Sequence, residues 1–123
     1  MEENQAIKVY LSVPMSTKSD EQIEYALEMG KNYYLYHYPY HKDRVEFISN
    51  YTKGVERFSG NRYADNILDI TRLGEGLLKL AECDIALFAP CGSVDYHCQI
   101  EHQACTYYSH KKIMEMTDEW RKR

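Results

Sequence analysis

The stretch Asp84-Ile85-Ala86-Leu87-Phe88-Ala89 decides the fold, because one acid is followed directly by a continuous run of apolar residues. Strands buried on both faces of a parallel sheet have this composition, so the run predicts a central parallel strand. Pro90 follows it and begins a loop that reaches Tyr96. A strand of this kind needs helices on both faces of its sheet, and the flanking segments supply them.

Three helices and three more strands are predicted around this run. Helical periodicity and N-cap residues such as Ser19 place helices at about 20–36, 63–82 and 97–109. Alternation with β-branched residues places strands at 7–13, 44–49 and 112–116. The order β-α-β-α-β-α-β predicts one α/β domain over residues 1–123. Its expected architecture is a three-layer Rossmann-like or flavodoxin-like fold with a parallel sheet of four or five strands.

The apolar residues of two helices predict which helix faces meet the sheet. In the third helix, the expected core residues are Ile100, Ala104 and Tyr107. In the second helix, residues at helical spacing form the expected stripe: Ile67, Ile70, Leu73, Leu77, Leu78 and Leu80. Gly74 and Gly76 interrupt that helix and indicate either a weak middle or close packing on the sheet.

Composition excludes several classes of partner. The formal net charge is −4, and the one dense basic cluster is the tail 121–123, so no nucleic-acid polymer is expected. No apolar run approaches the roughly 20 residues of a membrane span, so no membrane association is expected. The first residues are acidic and polar, unlike a signal peptide, which predicts a cytoplasmic protein. The four cysteines form no CxxC pair and are expected to be reduced.

Tyrosine is the unusual residue of this chain, with 12 copies. Five of them crowd the end of the first predicted helix: Tyr33, Tyr34, Tyr36, Tyr38 and Tyr40. One helix cannot bury all of them, and exposed aromatic clusters commonly form partner surfaces. The cluster therefore predicts a homo-oligomer, a dimer or larger.

The predicted fold also indicates where a ligand binds. Ligands of open parallel sheets bind outside the carboxyl ends of the strands, which here are 10–14, 49–51 and 88–95. We expect Asp84, Asp95 and Glu101 to converge there, with Glu101 ionised near the start of the third helix. An ionised glutamate can attack an electrophilic carbon while a second carboxyl handles a proton. The alternative is that Glu101 is an ordinary first-turn acid.

Three segments resemble, in chain order, those of the nucleoside 2-deoxyribosyltransferase-like superfamily. They are 8–15, as its first strand and loop, 81–88, as its aspartate-then-apolar strand, and 95–104, as its acid-x5-Glu segment. Cys98 to Ala104 is similar to the Cys-x-Ile-Glu-His run of a small uncharacterised branch. The resemblance implies cleavage or transfer of an N-glycosidic bond on a nucleoside or nucleotide. No cofactor and no metal are expected.

The resemblance also implies roles for single residues. Glu101 would be the nucleophile that takes the sugar C1′, and Tyr10 would orient it through its phenol. Asp84 would face the nucleobase and help to protonate it. Asp95 would hold the 5′-hydroxyl of the sugar. Subunits of the resembling family also complete one another's pockets, which agrees with the expected homo-oligomer.

Whether the substrate carries a phosphate stays open. Relatives that cleave nucleoside 5′-monophosphates tend to carry serine at the position of Asp95, and a carboxylate there would repel a phosphate. Ser12, Ser16 and Ser93 remain as possible phosphate-binding residues.

Three other functions compete with this one. The same pocket could bind a nucleotide-derived small molecule without cleaving it. Cys98, His102 and Cys105 share a helix face near Cys91, and thiolate and imidazole are zinc ligands, although paired ligands at short spacing are missing. Cys91 could also be a thiol nucleophile beside His97 or His102.

Overall fold

The computed structural model describes residues 6–15, 18–53, 62–89, 96–108 and 112–116, and for 62–69 it describes the backbone. The described strands are β1 (Ile7–Ser12), β2 (Val45–Ile48), β3 (Ile85–Phe88) and β4 (Lys112–Glu115). They form a sheet of order β2-β1-β3-β4 in which every pair is parallel. The predicted α/β class with a parallel sheet of four or five strands is confirmed, with four strands among the described residues. β3 lies inside the sheet, as its composition predicts.

The helices are α1 (Asp20–His37), α2 (Arg62–Ala81) and α3 (Tyr96–Tyr108), with a short 3₁₀ helix at Pro39–His41. The start of α1 is a capping box. The Ser19 Oγ accepts a hydrogen bond from the Gln22 backbone N–H at 3.2 Å, and the Ser19 N–H donates to the Gln22 side chain at 2.9 Å. This arrangement satisfies donors that a helix start otherwise leaves without partners.

Two apolar cores lie on opposite faces of the sheet. On one face, Val9, Leu11 and Leu87 pack with Tyr33 and Tyr34 of α1. A Cβ built on Gly30 would lie 3.2 Å from the Leu11 Cδ2, so α1 approaches the strands closely. On the other face, the second cluster contains Tyr10, Leu80, Cys83, Ala86, Phe88 and Cys105. Because α2 and α3 cover this second face, the chain forms the three expected layers.

The strand order contains a topological switch. From β1 the chain moves to β2 on one side, and it then returns past β1 to place β3 on the other side. The connections after β1 and β3 therefore leave toward opposite faces of the sheet. In folds of this class, ligands bind outside the carboxyl ends of the strands on either side of such a switch, which here are β1 and β3.

Two of the predicted helix faces are wrong in part. Ile100 and Tyr107 are 38% and 75% exposed, whereas the buried residues of α3 are Cys98, Glu101 and Cys105. The helix is turned so that a carboxylate faces the sheet, because polar groups on β1 bind it there. In α2, Leu80 is buried as expected, but Ile70 and Leu78 are both exposed.

The tyrosine cluster divides between the core and the surface. Tyr33 and Tyr34 are buried in this chain, whereas Tyr36 and Tyr40 are 61% and 92% exposed. The homo-oligomer therefore stays a prediction that depends on the exposed members. Within the described parts of the chain, no helix has the length and apolar character to cross a membrane.

Candidate functional site

A buried glutamate lies at the carboxyl end of β1. Tyr10 donates a hydrogen bond from its phenol to the Glu101 Oε2 at 2.7 Å, and Ser12 donates from its Oγ to Oε1 at 2.6 Å. Tyr10 and Ser12 are two residues apart on a strand, so both side chains point to the α3 face of the sheet. The Glu101 side chain is thereby held at both oxygens, and the residue is only 5% exposed.

Helix α2 packs closely against the Glu101 carboxylate at Gly76. A Cβ built on Gly76 would lie 2.7 Å from the Glu101 Oε2, 3.1 Å from the Tyr10 hydroxyl and 3.3 Å from the Asn50 Nδ2. Real Cβ atoms essentially never approach another heavy atom to 2.7 Å, so a side chain here would displace the carboxylate. The sequence left two interpretations of Gly76, a weak middle of the helix or close packing on the sheet. The structure supports close packing.

Asn50 ties the end of β2 to α2 beside the same cluster. Its Nδ2 donates to the Arg72 carbonyl oxygen at 2.7 Å, and its Oδ1 accepts from the Lys79 Nζ at 3.1 Å. These bonds satisfy both ends of the amide and bring an ammonium group to this edge of the sheet. Asn50 and Lys79 were not predicted as site residues, although the end of the second strand was expected to line the crevice.

Tyr10 is the proton donor in its contact with Glu101. Burial raises the pKa of the Tyr10 phenol well above its ordinary value, and the Glu101 charge and hydrogen bond raise it further. The phenol therefore keeps its proton at all physiological pH values and presents it to the carboxylate. Tyr10 thus acts as a neutral hydrogen-bond donor that fixes the position of Glu101.

This raised pKa predicts a particular response to alkali. The Tyr10 hydroxyl contributes its full stabilisation at pH values below 10, which is the pKa of a tyrosine in the unfolded chain. This contribution is lost as the pH rises above 10, because the unfolded chain then loses the phenol proton while the folded protein keeps it. We expect the wild type to exceed Tyr10→Phe in unfolding free energy by about 1–3 kcal/mol at pH 7. Above pH 10 this difference should shrink by up to about 1.4 kcal/mol per pH unit.

Urea unfolding of both proteins between pH 7 and pH 11 measures this difference. Below pH 9 the two stability curves should run parallel. A difference that stays constant up to pH 11 would show that Tyr10 titrates alike in the folded and unfolded chains.

Asp84 is not part of this cluster, which corrects the expected convergence with Glu101. It precedes β3 and is exposed, and its Oδ2 accepts a hydrogen bond from the Lys8 backbone N–H at 2.9 Å. The Asp84 N–H in turn donates to the Lys8 carbonyl oxygen at 2.8 Å. These bonds lie at the amino ends of β1 and β3, whereas Ser12 and Glu101 lie at the carboxyl end. Asp84 is therefore not placed to exchange a proton with a group bound beside Glu101.

The other predicted site residues have different outcomes. Ser12 is brought to the site, but its hydroxyl hydrogen is directed at Glu101. Asp95, Ser16, Ser93 and the alternative nucleophile Cys91 lie outside the described residues. Within the described ranges, no group of three His, Cys, Asp or Glu side chains is arranged to hold a metal ion.

A second polar pair lies at the same edge of the sheet. The His102 Nε2 lies 2.8 Å from the Glu115 Oε1, and the His102 ring packs edge-on against Phe88, with ring centroids 4.9 Å apart. The sequence showed His102 only as a possible metal ligand or thiol partner. Its pairing with the end of β4 had no signal in the sequence, because the two residues are 13 positions apart.

The chain was compared with protein-family models, with curated proteins and with solved structures, and none of them matches it. A functional proposal therefore depends on the geometry around Glu101.

Proposed function

We propose that this protein cleaves or transfers the N-glycosidic bond of a nucleoside or nucleotide, with Glu101 as nucleophile. The observation that supports this proposal best is a buried carboxylate held by two hydroxyl donors at the carboxyl end of β1, next to the switch point. Positive charge develops at C1′ as this bond breaks, and a fixed carboxylate stabilises it. The resemblance of three segments to nucleoside 2-deoxyribosyltransferases agrees with the proposal.

The neighbours of Glu101 suit a nucleophile. Tyr10 and Ser12 are neutral donors, so they fix the side chain without neutralising its charge. A carboxylate oxygen has more than one lone pair, so a single hydrogen bond from a hydroxyl group does not prevent it from bonding to C1′. In the first step an oxygen of Glu101 bonds to C1′, and the electron pair of the glycosidic bond leaves with the base. In the second step water or another base attacks C1′ and releases Glu101.

A second candidate function is binding of a nucleotide-derived small molecule without cleavage. The observation that favours it is the low exposure of Glu101, whose two oxygens are both engaged by residues of β1. In that case the carboxylate would organise the pocket wall. Under either function we propose a cytoplasmic homo-oligomer in which the exposed Tyr36 and Tyr40 contribute to the contact between subunits.

A substrate panel separates the two functions. Purified protein is incubated with purine and pyrimidine ribonucleosides, 2′-deoxyribonucleosides and their 5′-monophosphates, with and without a second base as acceptor. Free base or exchanged nucleoside is measured by chromatography, and melting temperature is measured in parallel. The proposal predicts that at least one compound is cleaved or exchanged.

A compound that raises the melting temperature and is recovered intact would instead support the binding function. Cleavage of phosphorylated and free forms at different rates would also decide whether the site accepts a phosphate.

A further inference from the structure

Two adjacent residues of α3 reach different strands at the carboxyl edge of the sheet. Ser12, Phe88 and Glu115 form one row across β1, β3 and β4, because Ser12 pairs with Phe88 and Phe88 pairs with Glu115. Glu101 binds the first member of this row, and His102 binds the last and packs on the middle one. The ends of the row are two strand spacings apart, which is roughly 10 Å.

The two side chains differ in exposure. Glu101 is almost fully buried, whereas the side chains of His102 and Glu115 are 39% and 70% exposed. The imidazole is therefore accessible from solvent at the carboxyl edge of the sheet. Phe88, which ends β3 and is buried, lies between Ser12 and Glu115 in this row and packs against the His102 ring.

The contact with Glu115 determines what the imidazole can do. A carboxylate oxygen at 2.8 Å from Nε2 accepts a hydrogen bond, so Nε2 carries a proton. Among the residues that the structure describes, Nδ1 has no hydrogen-bond partner. A carboxylate that orients one nitrogen of an imidazole and leaves the other available is the arrangement of an acid–base pair.

We propose that His102, oriented by Glu115, is the acid–base residue of the proposed reaction and protonates the leaving base. The inference rests on the proposed function and fills the role that Asp84 cannot fill from the amino edge of the sheet.

The proton and electron balance of the reaction closes with this assignment. As Glu101 bonds to C1′, the electron pair of the glycosidic bond passes to the base nitrogen, and His102 Nδ1–H gives its proton to the base. In the second step water attacks C1′, its proton passes to His102 Nδ1, and the bond to Glu101 breaks. In a transfer reaction the incoming base replaces water and gives up its own proton.

The test compares leaving groups that differ in their need for a proton. For every nucleoside that the wild type cleaves, base release is measured beside a derivative with a better leaving base. These derivatives are N7-methylated purine nucleosides, whose base leaves neutral without a proton, and ring-fluorinated pyrimidine nucleosides. The variants are His102→Gln and Glu115→Gln. His37→Gln is the matched control, because His37 is exposed and ends α1 at the opposite edge of the sheet.

We expect His102→Gln to slow release of ordinary bases by about 100- to 10,000-fold, the range of general acid catalysis. Release from the derivatives should fall by less than about tenfold, because their bases need little or no protonation. Glu115→Gln should show a smaller loss with the same preference, and His37→Gln should behave as wild type. Free imidazole added to His102→Ala should restore part of the rate.

Three outcomes would overturn the assignment. An equal loss on both kinds of leaving group would show a structural role of His102. Unchanged activity of His102→Gln, with Glu101→Gln inactive, would remove His102 from the reaction and leave the proposed function standing. Failure of the wild type to cleave any nucleoside or nucleotide would contradict both the assignment of His102 and the proposed function.

Discussion

Glu101→Gln should abolish base release while leaving the protein folded. The amide keeps the shape of the carboxylate, and the Tyr10 and Ser12 hydroxyls can each donate or accept a hydrogen bond, so both contacts can persist. The variant lacks the proposed nucleophile and its charge. We expect the rate of base release to fall by at least about 1,000-fold, the scale of losing a catalytic nucleophile.

The control for this variant is Glu28→Gln, the same chemical change at an exposed position of α1, which should be as active as wild type. Thermal unfolding of all three proteins checks that the fold is retained. Glu101→Ala is the harsher variant, because it also leaves two buried hydroxyls without their acceptor. Base release by Glu101→Gln at the wild-type rate would remove Glu101 as nucleophile.

Gly76→Ala and Gly74→Ala should have opposite effects although both replace a glycine in the middle of α2. At Gly74 nothing lies within 4 Å of a new Cβ, so alanine should stabilise the protein by about 0.5–1 kcal/mol through its better helix propensity. At Gly76 the same methyl group meets the Glu101 carboxylate and the Tyr10 hydroxyl. Forcing those groups apart should cost about 1–3 kcal/mol, as overpacking does in other cores.

Urea unfolding measures the stability of the two variants, and base release measures the position of Glu101. A displaced nucleophile should lower the rate by about 100-fold in Gly76→Ala, whereas Gly74→Ala should keep wild-type activity. If Gly76→Ala were as stable and as active as Gly74→Ala, the close approach of α2 to Glu101 would be wrong. The stability comparison holds whatever the reaction proves to be.

The sheet could be predicted from the sequence because its signals are local. The apolar run after Asp84 indicates a strand buried on both faces, and the residues around Ser19 indicate a helix start. The β-α alternation then leaves few topologies, since crossovers between parallel strands are right-handed. The predicted helix and strand ends agree with the observed ones to within one or two residues.

The rotation of α3 could not be predicted in this way. Ile100, Ala104 and Tyr107 form an apolar stripe, and periodicity alone favours burying it. The deciding interaction is between Glu101 and two hydroxyls about 90 positions earlier in the chain, and no local pattern reports such a contact. The role of Gly76 was ambiguous for the same reason. A side chain is excluded at this position because it would collide with the carboxylate of Glu101, which is distant in sequence.

Asp84 could have been placed correctly from the sequence. It precedes its strand, and the start of a parallel strand lies at the edge opposite to the ligand crevice. Its implied role followed from the resemblance of the segment 81–88 to the superfamily and not from that order. Its hydrogen bond to the Lys8 backbone shows a role in joining the first residues of β1 and β3.

Trapping the covalent intermediate tests the role of Glu101 most directly. A 2′-fluorinated analogue of a nucleoside that the wild type cleaves, with a good leaving base, should form the glycosyl-enzyme and slow its breakdown, because fluorine destabilises positive charge at C1′. We expect intact-mass measurement to show one added sugar per chain, located by peptide fragmentation on Glu101. Release of the base with no added mass, or a sugar on any other residue, would contradict Glu101 as the nucleophile.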